Sequence, residues 1–170
     1  MKTGTEKIIH FTLLYNRYKK RLYNFLLKLS GNKTTAEDIT QTVFLKLYEN
    51  FEKLNNKESA QYWLFRTARN EYYNFYKKEK RKNELNENLL SAKEDTFKLE
   101  SYIEIKEIKN IVLNELEKMP EEQKEVYLLK EYGGLSYAEI SNTLEIDINL
   151  VKSRLYKVRQ KLINTISKMV

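Results

Sequence analysis

Residues 136–162 read SYAEISNTLEIDINLVKSRLYKVRQKL, and no other segment of the chain carries so clear a structural signal. Ser136 and Glu139 are spaced as a capping box, which predicts that a short helix begins there and ends near Leu144. A tight two-residue turn follows, after which Asp147 is suited to cap a longer helix. A short helix, a tight turn and a longer basic helix together predict a helix-turn-helix.

The longer helix has two different faces. Four apolar residues at intervals of three and four should face the core, namely Val151, Leu155, Val158 and Leu162. The opposite side and its flanks carry amide, hydroxyl and cationic groups, which read base edges or bind phosphates. These residues are Asn149, Lys152, Ser153, Arg154, Tyr156, Lys157 and Gln160. Every surface helix has a polar face, but the basic charge and the capped helix before it favour DNA contact.

The rest of the chain also predicts helices. Its 170 residues include one proline and four glycines, so few positions would interrupt a helix. Apolar residues at steps of three and four predict helices at residues 8–29, 36–51, 60–82 and 103–116. Thr34 and Glu37 have capping-box spacing, so Thr34 is predicted to cap the second of these helices. Pro120 is predicted in the first turn of another helix, and Trp63 in the core.

A polar segment divides these helices into two groups. Residues 83–100 are rich in Asn, Glu, Lys and Ser with scattered leucines, which is typical of a linker. We therefore predict an all-α protein of two small helical domains, residues 1–82 and 103–170, joined by a linker at residues 83–102. The C-terminal domain is the helix-turn-helix.

The charge of the chain favours an anionic partner. The net charge is +7 and the isoelectric point about 9.3, values typical of proteins that bind nucleic acid or membrane surfaces. Residues 62–82 and 147–168 each carry a net charge of +5, whereas residues 83–125 carry −6. Charge alone leaves open whether the basic blocks are simply solvated helix faces.

The composition disfavours several classes of protein. The chain has no cysteine, which excludes disulfides and thiolate metal sites and fits the cytoplasm. It shows neither a signal peptide nor an apolar run long enough for membrane insertion. The single histidine, His10, is interpreted as a helix surface residue, and no Gly-rich phosphate loop occurs. We expect no catalytic residues, no metal site and no cofactor.

Three segments resemble motifs of the sigma-70 family. Residues 36–45, AEDITQTVFL, resemble the A-E-D-L-x-Q-E-V-F signature of its region 2.2. Residues 63–70, WLFRTARN, are similar to the W-L-x-x-I-A-R-N pattern that follows. Residues 151–155, VKSRL, are similar to the T-V-K-S-R-L core of region 4.2. They occur in the family's order and spacing, and the lack of a domain between regions 2 and 4 resembles the extracytoplasmic function (ECF) type.

The resemblance implies a sigma factor that binds bacterial core RNA polymerase and promoter DNA and is not an enzyme. Residues implied in polymerase binding are Glu37, Asp38, Gln41 and Thr42. Residues implied in binding the −10 element are Arg66, Arg69, Asn70, Asn74, Lys77 and Lys78, beside the aromatic residues Tyr72, Tyr73, Phe75 and Tyr76. About half of those aromatics should be core at this helical spacing. Residues implied in binding the −35 element are Asn149, Lys152, Ser153, Arg154, Tyr156 and Lys157.

The chain also departs from the family pattern, which leaves its promoter sequence open. Thr42 stands where the family usually has glutamate, and Asn149-Leu150 where glycine-threonine is usual. The alternative is a stand-alone helix-turn-helix regulator of duplex DNA, which gives Asp38 and Gln41 no role. An anti-sigma factor holds many ECF factors inactive, and the sequence leaves open whether one binds here.

Overall fold

The structure is a computed structural model that describes residues 4–54, 57–85 and 103–169, with only the backbone described at residues 57–59 and 103–106. Within these ranges all regular structure is helical, which confirms the all-α class. The chain divides into two compact units, Met1–Glu94 and Asp95–Val170. Residues 86–102 of the predicted linker lie outside the described residues.

The described residues of the N-terminal unit form three long helices, α1 (Gly4–Ser30), α2 (Lys33–Glu49) and α3 (Lys57–Leu85), with a short 3-10 turn at Phe51–Lys53. Each helix buries an apolar stripe, and the rings of Phe25 of α1 and Phe65 of α3 pack edge to face with 5.8 Å between their centres. The buried stripe of α1 is Tyr18, Leu22, Phe25, Leu26 and Leu29. The buried apolar residues of α3 are Ala60, Leu64, Phe65 and Ala68.

The start of α2 differs from the prediction. Gly31 has φ 65° and reverses the chain, a conformation that glycine adopts without strain. Asn32 is then extended and accepts a hydrogen bond from the Thr35 amide at 2.9 Å, so Asn32 is the N-cap. The prediction of Thr34 as N-cap was wrong, because the turn comes two residues earlier and Thr34 lies within the first helical turn.

Two substitutions, Asn32→Ala and Thr34→Ala, test which residue is the N-cap of α2. We expect Asn32→Ala to lower the free energy of unfolding of the N-terminal unit by about 1 kcal/mol, since one amide loses its partner. Thr34→Ala should change it by less than about 0.5 kcal/mol. Trp63, the single tryptophan, lies in this unit, so its fluorescence during urea denaturation reports this unit's unfolding. Equal effects of the two substitutions would show that the cap is misassigned.

Two further local predictions in α3 were wrong. The helix begins at Lys57 rather than near residue 60. Trp63 is half-buried rather than buried in the core. Trp63 lies about 100° around the helix from Leu64, at the edge of the stripe formed by the buried residues of α3.

In the part of the C-terminal unit that the structure describes there are four helices, α4 (Ile103–Glu117), α5 (Glu121–Glu131), α6 (Tyr137–Leu144) and α7 (Ile148–Ser167). Its buried apolar residues come from all four helices and their turns. They are Leu116, Met119, Val126, Leu128, Leu129, Leu135, Ile140, Val151, Leu155, Val158 and Leu162. Pro120 is the N-cap of α5 rather than part of its first turn, because its backbone is extended (ψ 139°).

Helices α6 and α7 form the predicted helix-turn-helix. The capping box of α6 is present: the Glu139 amide donates to the Ser136 hydroxyl at 3.2 Å, and the Ser136 amide donates to the Glu139 carboxylate at 2.6 Å. Asp147 caps α7 by accepting from the Asn149 amide at 2.7 Å. Both caps were predicted because each depends only on residues two or three apart.

The turn between α6 and α7 is held by three hydrogen bonds. Glu145 is left-handed (φ 56°), which costs an L-residue about 1–2 kcal/mol. The amides of Glu145 and Ile146 both donate to the Ser141 carbonyl, the second at 3.1 Å. The Ser141 hydroxyl returns a bond to the Ile146 carbonyl at 2.6 Å. These bonds offset the strain and fix the direction in which α7 leaves the turn.

Candidate functional site

The outer face of α7 gathers most of the residues predicted to contact DNA. Val151, Leu155 and Val158 are buried, so the opposite side of the helix faces solvent. The exposed residues there are Asn149, Lys152, Ser153, Tyr156 and Lys157. Tyr156 is 65% exposed, so its ring and hydroxyl project outward. Arg154 is half-buried and lies beside the core stripe, apart from the other five.

Arg159 ties α7 to the two helices before it. Its guanidinium donates to the Tyr137 hydroxyl at 3.5 Å and to the Glu131 carboxylate at 3.1 Å. These bonds raise the pKa of Arg159 above its usual range. Lys130 Nζ lies 5.2 Å from the centre of the Tyr137 ring. Sequence analysis missed this network because its members are 22 and 28 residues apart, a separation that no local pattern reveals.

Two tyrosines near this network stay neutral. Burial, and secondarily the Glu131 carboxylate, raises the pKa of Tyr127 and of Tyr132 above the ordinary value of 10.0. The neutral phenols therefore contribute stability that is complete below pH 10 and is lost as the pH rises beyond it. At physiological pH these two phenols add no negative charge beside α7.

The outer face of α3 brings together the residues predicted for the −10 element. Arg66, Asn70 and Lys77 lie within about 40° of one another around the helix, opposite the buried stripe. Asn74 and Lys78 are also exposed and continue the face toward the C-terminus. Arg69 is half-buried, and its guanidinium lies 4.9 Å from the centre of the Tyr73 ring.

An aromatic cluster follows these polar residues along α3. Tyr72 packs against Tyr73 at 5.2 Å and against Tyr76 at 6.2 Å between ring centres. Phe75 and Tyr76 are 40% and 54% exposed, and no member of the cluster is buried. The expectation that half of the cluster is core was wrong, because the buried residues of α3 end at Ala68. The rings are therefore accessible for stacking.

The outer face of α2 presents the residues predicted to bind polymerase. Glu37, Asp38 and Gln41 are exposed. Glu37 lies 3.8 Å from Lys33 in a solvent-exposed ion pair, rather than reaching back to the N-cap. Thr42 is half-buried, and its hydroxyl donates to the Asp38 carbonyl at 2.9 Å. Thr42 therefore lies at the edge of this face.

Leu45 belongs to the same face of α2, although motif analysis gave it no role. It follows Asp38 by seven residues and Gln41 by four, so the three share one side of the helix. Leu45 is 65% exposed, and Tyr48 beside it is 42% exposed. Leu45 and Tyr48 therefore add apolar surface beside the carboxylate of Asp38 and the amide of Gln41. The sequence feature that could have identified Leu45 as a surface residue is its position opposite the apolar stripe of α2.

Comparison with known proteins identifies the family. The chain matches Sigma-70 region 2 over residues 14–82 and Sigma-70, region 4 over residues 109–162. It is 30% identical to the ECF RNA polymerase sigma factor SigM of Bacillus subtilis, over 88% of this chain and 90% of that one. This chain is an ECF sigma factor of the sigma-70 family. It is also 24% identical to the ECF RNA polymerase sigma-E factor of Haemophilus influenzae, over 94% and 89% of the two chains.

Solved structures share the fold of this sigma factor. The sigma factor RpoE of Bartonella quintana, solved in complex with the anti-sigma factor NepR, matches with a TM-score of 0.75 and 20% identity, over 93% of this chain and 97% of that one. CnrH, solved with the cytosolic domain of CnrY, matches with a TM-score of 0.65 and 17% identity, over 93% and 88%. The region 2 match spans the faces of α2 and α3, and the region 4 match spans the face of α7.

No helix in the described ranges of this sigma factor combines the length and apolar character needed to cross a membrane.

Proposed function

We propose that this sigma factor binds core RNA polymerase through the outer face of α2, captures the −10 element on α3 and reads the −35 element with α7. The observation that carries the proposal is that three polar faces, each opposite a buried stripe, lie within the two family regions. In this proposal residues 1–82 act as region 2, residues 103–170 as region 4 and residues 83–102 as their linker.

We assign polymerase docking to α2 because its exposed face combines acidic, amide and apolar side chains and is not basic. Asp38 and Gln41 supply a carboxylate and an amide, and Leu45 supplies an apolar side chain. Such a combination fits an apolar contact rimmed by hydrogen bonds in a protein interface. It does not fit a phosphate backbone, which would be repelled by Glu37 and Asp38.

We assign capture of the −10 element to α3 because this helix combines cationic side chains with accessible aromatic rings. Binding of single-stranded DNA needs positive charge along the backbone and aromatic faces on which bases stack. Arg66, Lys77 and Lys78 are exposed and supply the charge, while Phe75 and Tyr76 supply rings. Asn70 and Asn74 add amides that hydrogen-bond to base edges.

We assign recognition of the −35 element to α7, the second helix of the helix-turn-helix. This helix enters the major groove in proteins of this architecture. Asn149, Ser153 and Tyr156 are placed to contact bases, and Lys152 and Lys157 to contact phosphates. Arg154 is a phosphate contact at the edge of the face.

Three further assignments complete the proposal. We place the protein in the cytoplasm, with polymerase and promoter DNA, and assign it no catalytic activity of its own. An anti-sigma factor is a further partner, in keeping with the solved neighbour RpoE, whose structure contains the anti-sigma factor NepR. It would compete for the same exposed faces.

The proposal is tested by binding to core polymerase. The purified protein is mixed with sigma-free bacterial core enzyme and analysed by gel filtration, beside the variant Asp38→Ala/Gln41→Ala. We expect co-elution that the variant weakens by about tenfold or more, because interface contacts of this kind contribute roughly 1–2 kcal/mol each. Both residues are exposed, so the variant should keep its stability. Binding to duplex DNA without co-elution would instead indicate a stand-alone helix-turn-helix regulator.

A further inference from the structure

The longest segment without an acidic residue lies near the N-terminus. Residues 7–36 contain seven basic residues and no acidic one, which leaves twenty-four of each in the rest of the chain. The seven are Lys7, Arg17, Lys19, Lys20, Arg21, Lys28 and Lys33. Most of the segment is α1, a helix to which the proposed polymerase and promoter contacts assign no role.

Four of these residues form a stripe along α1, called here the α1 stripe: Arg17, Lys20, Arg21 and Lys28. At about 100° per residue they fall within a sector of about 100°, on one flank of the buried face. Arg17 and Lys20 are exposed, while Arg21 and Lys28 are half-buried. The stripe extends for about 16 Å along the helix at a rise of about 1.5 Å per residue.

The α1 stripe lies on the side of α1 that faces α3. Phe25 of α1 contacts Phe65 of α3 with 5.8 Å between ring centres. Arg21 is one turn before Phe25, and Lys28 is about one turn after it. Arg69, one turn after Phe65, borders the same contact from α3. Arg21, Lys28 and Arg69 therefore lie beside one helix-helix contact. Arg66 and Lys77 of the proposed −10 site lie about 60–80° around α3 from Arg69.

The arrangement within the stripe favours a polyanion. Arg17 and Arg21 are four residues apart, so their guanidiniums lie on the same side of α1. Their guanidiniums lie 5.5 and 5.4 Å from the centre of the Tyr18 ring. Tyr18 is only 3% exposed, so it holds the cations but offers no face to a base. The stripe therefore suits phosphates rather than bases.

We propose that the α1 stripe binds the sugar-phosphate backbone of single-stranded DNA, extending the path of the strand held on α3. The inference rests on the proposed role of α3 in binding the −10 element. It adds a contact that is independent of base sequence, because Lys and Arg on phosphates carry no sequence information. This contact should therefore be detected through the salt dependence of the affinity for single-stranded DNA.

The test uses the full-length chain and a fluorescein-labelled single-stranded DNA of about 20 nucleotides over a series of KCl concentrations. The variant Arg17→Gln/Lys20→Gln/Arg21→Gln should lower the magnitude of the log-affinity versus log-salt slope by about 2, since each phosphate contact contributes about 0.7. Affinity at low salt should fall by about tenfold or more. The control Lys19→Gln/Lys33→Gln/Lys53→Gln removes the same charge outside the stripe and should change affinity by less than about threefold.

A second variant separates this inference from the proposed function. Arg66→Gln/Asn70→Ala/Lys77→Gln removes polar contacts on α3. Loss of DNA binding in this variant, with the stripe variant equal to its control, overturns the inference and leaves the −10 proposal intact. Retained binding in the α3 variant overturns the −10 proposal, and the stripe variant then still decides the role of α1.

Two checks exclude other causes of weakened DNA binding by the stripe variant. If the stripe variant loses co-elution with core polymerase and keeps DNA binding, the stripe binds an acidic protein surface and the inference is overturned. Urea denaturation followed by Trp63 fluorescence shows whether the variant is folded. If it is not, Arg17→Gln/Lys20→Gln, which keeps the half-buried Arg21, replaces it with an expected slope change of about 1.4.

Discussion

Leu155→Ala should lower the free energy of unfolding of the C-terminal unit by about 3 kcal/mol. Leu155 is 1% exposed on α7, and removing a buried leucine side chain costs about 2–5 kcal/mol from lost burial and the remaining cavity. A domain of this size has a small core and a total stability of only a few kcal/mol. A large fraction of the unit should therefore unfold at 37 °C, and the helix-turn-helix with it.

Urea denaturation followed by far-UV circular dichroism measures this loss. Trp63 fluorescence follows the N-terminal unit in the same samples and should show an unchanged transition. A loss below about 1 kcal/mol, or an equal shift in the Trp63 transition, would contradict the assignment of Leu155 to a separate C-terminal core.

Lys157→Ala is the matched control for Leu155→Ala. Lys157 is exposed on the opposite side of the same helix, so stability should change by less than about 0.5 kcal/mol. Binding to −35 duplex DNA should weaken, and the salt slope should fall by about 0.9 for one lost phosphate contact. The two variants thus separate the effect of core burial from the effect of DNA contact, although Leu155 and Lys157 are only two residues apart.

Much of the fold follows from short-range patterns. The capping box at Ser136 and Glu139 and the cap at Asp147 involve atoms two or three residues apart, so the sequence alone predicts the ends of the helix-turn-helix. The cap of α2 was mispredicted because two patterns competed. The positive φ of Gly31 placed Asn32, not Thr34, in the extended conformation that an N-cap needs.

The candidate sites were predicted less completely, because exposure depends on where packing ends. Motif matching placed Asp38 and Gln41 correctly on an exposed face but passed over Leu45, whose type alone suggests a core residue. Periodicity likewise placed half of the α3 aromatics in the core, although the described buried residues of α3 stop at Ala68. A period shows which side of a helix is apolar, but not how far a neighbouring helix covers it.

Leu45→Glu should abolish stable binding to core polymerase while leaving the protein folded. Leu45 is 65% exposed in the free protein, so a glutamate there meets water and stability should change by less than about 0.5 kcal/mol. In a docked complex the same carboxylate would be buried without a partner, beside Asp38 on the same face. An unpaired charge at the centre of an interface costs several kcal/mol, so affinity should fall by about 100-fold or more.

Leu13→Glu is the control for Leu45→Glu, because it makes the same substitution at a residue that is 58% exposed on α1. Gel filtration with core enzyme and run-off transcription from a recognised promoter should be lost for Leu45→Glu and kept for Leu13→Glu. Loss in both variants would mean that any added carboxylate on this unit prevents docking. Retention in Leu45→Glu alongside loss in Asp38→Ala/Gln41→Ala would confine the contact to the N-terminal half of α2. The expected pattern, loss of binding in Leu45→Glu and not in Leu13→Glu, would show that the docking face extends from Asp38 to Leu45, across about two turns of α2.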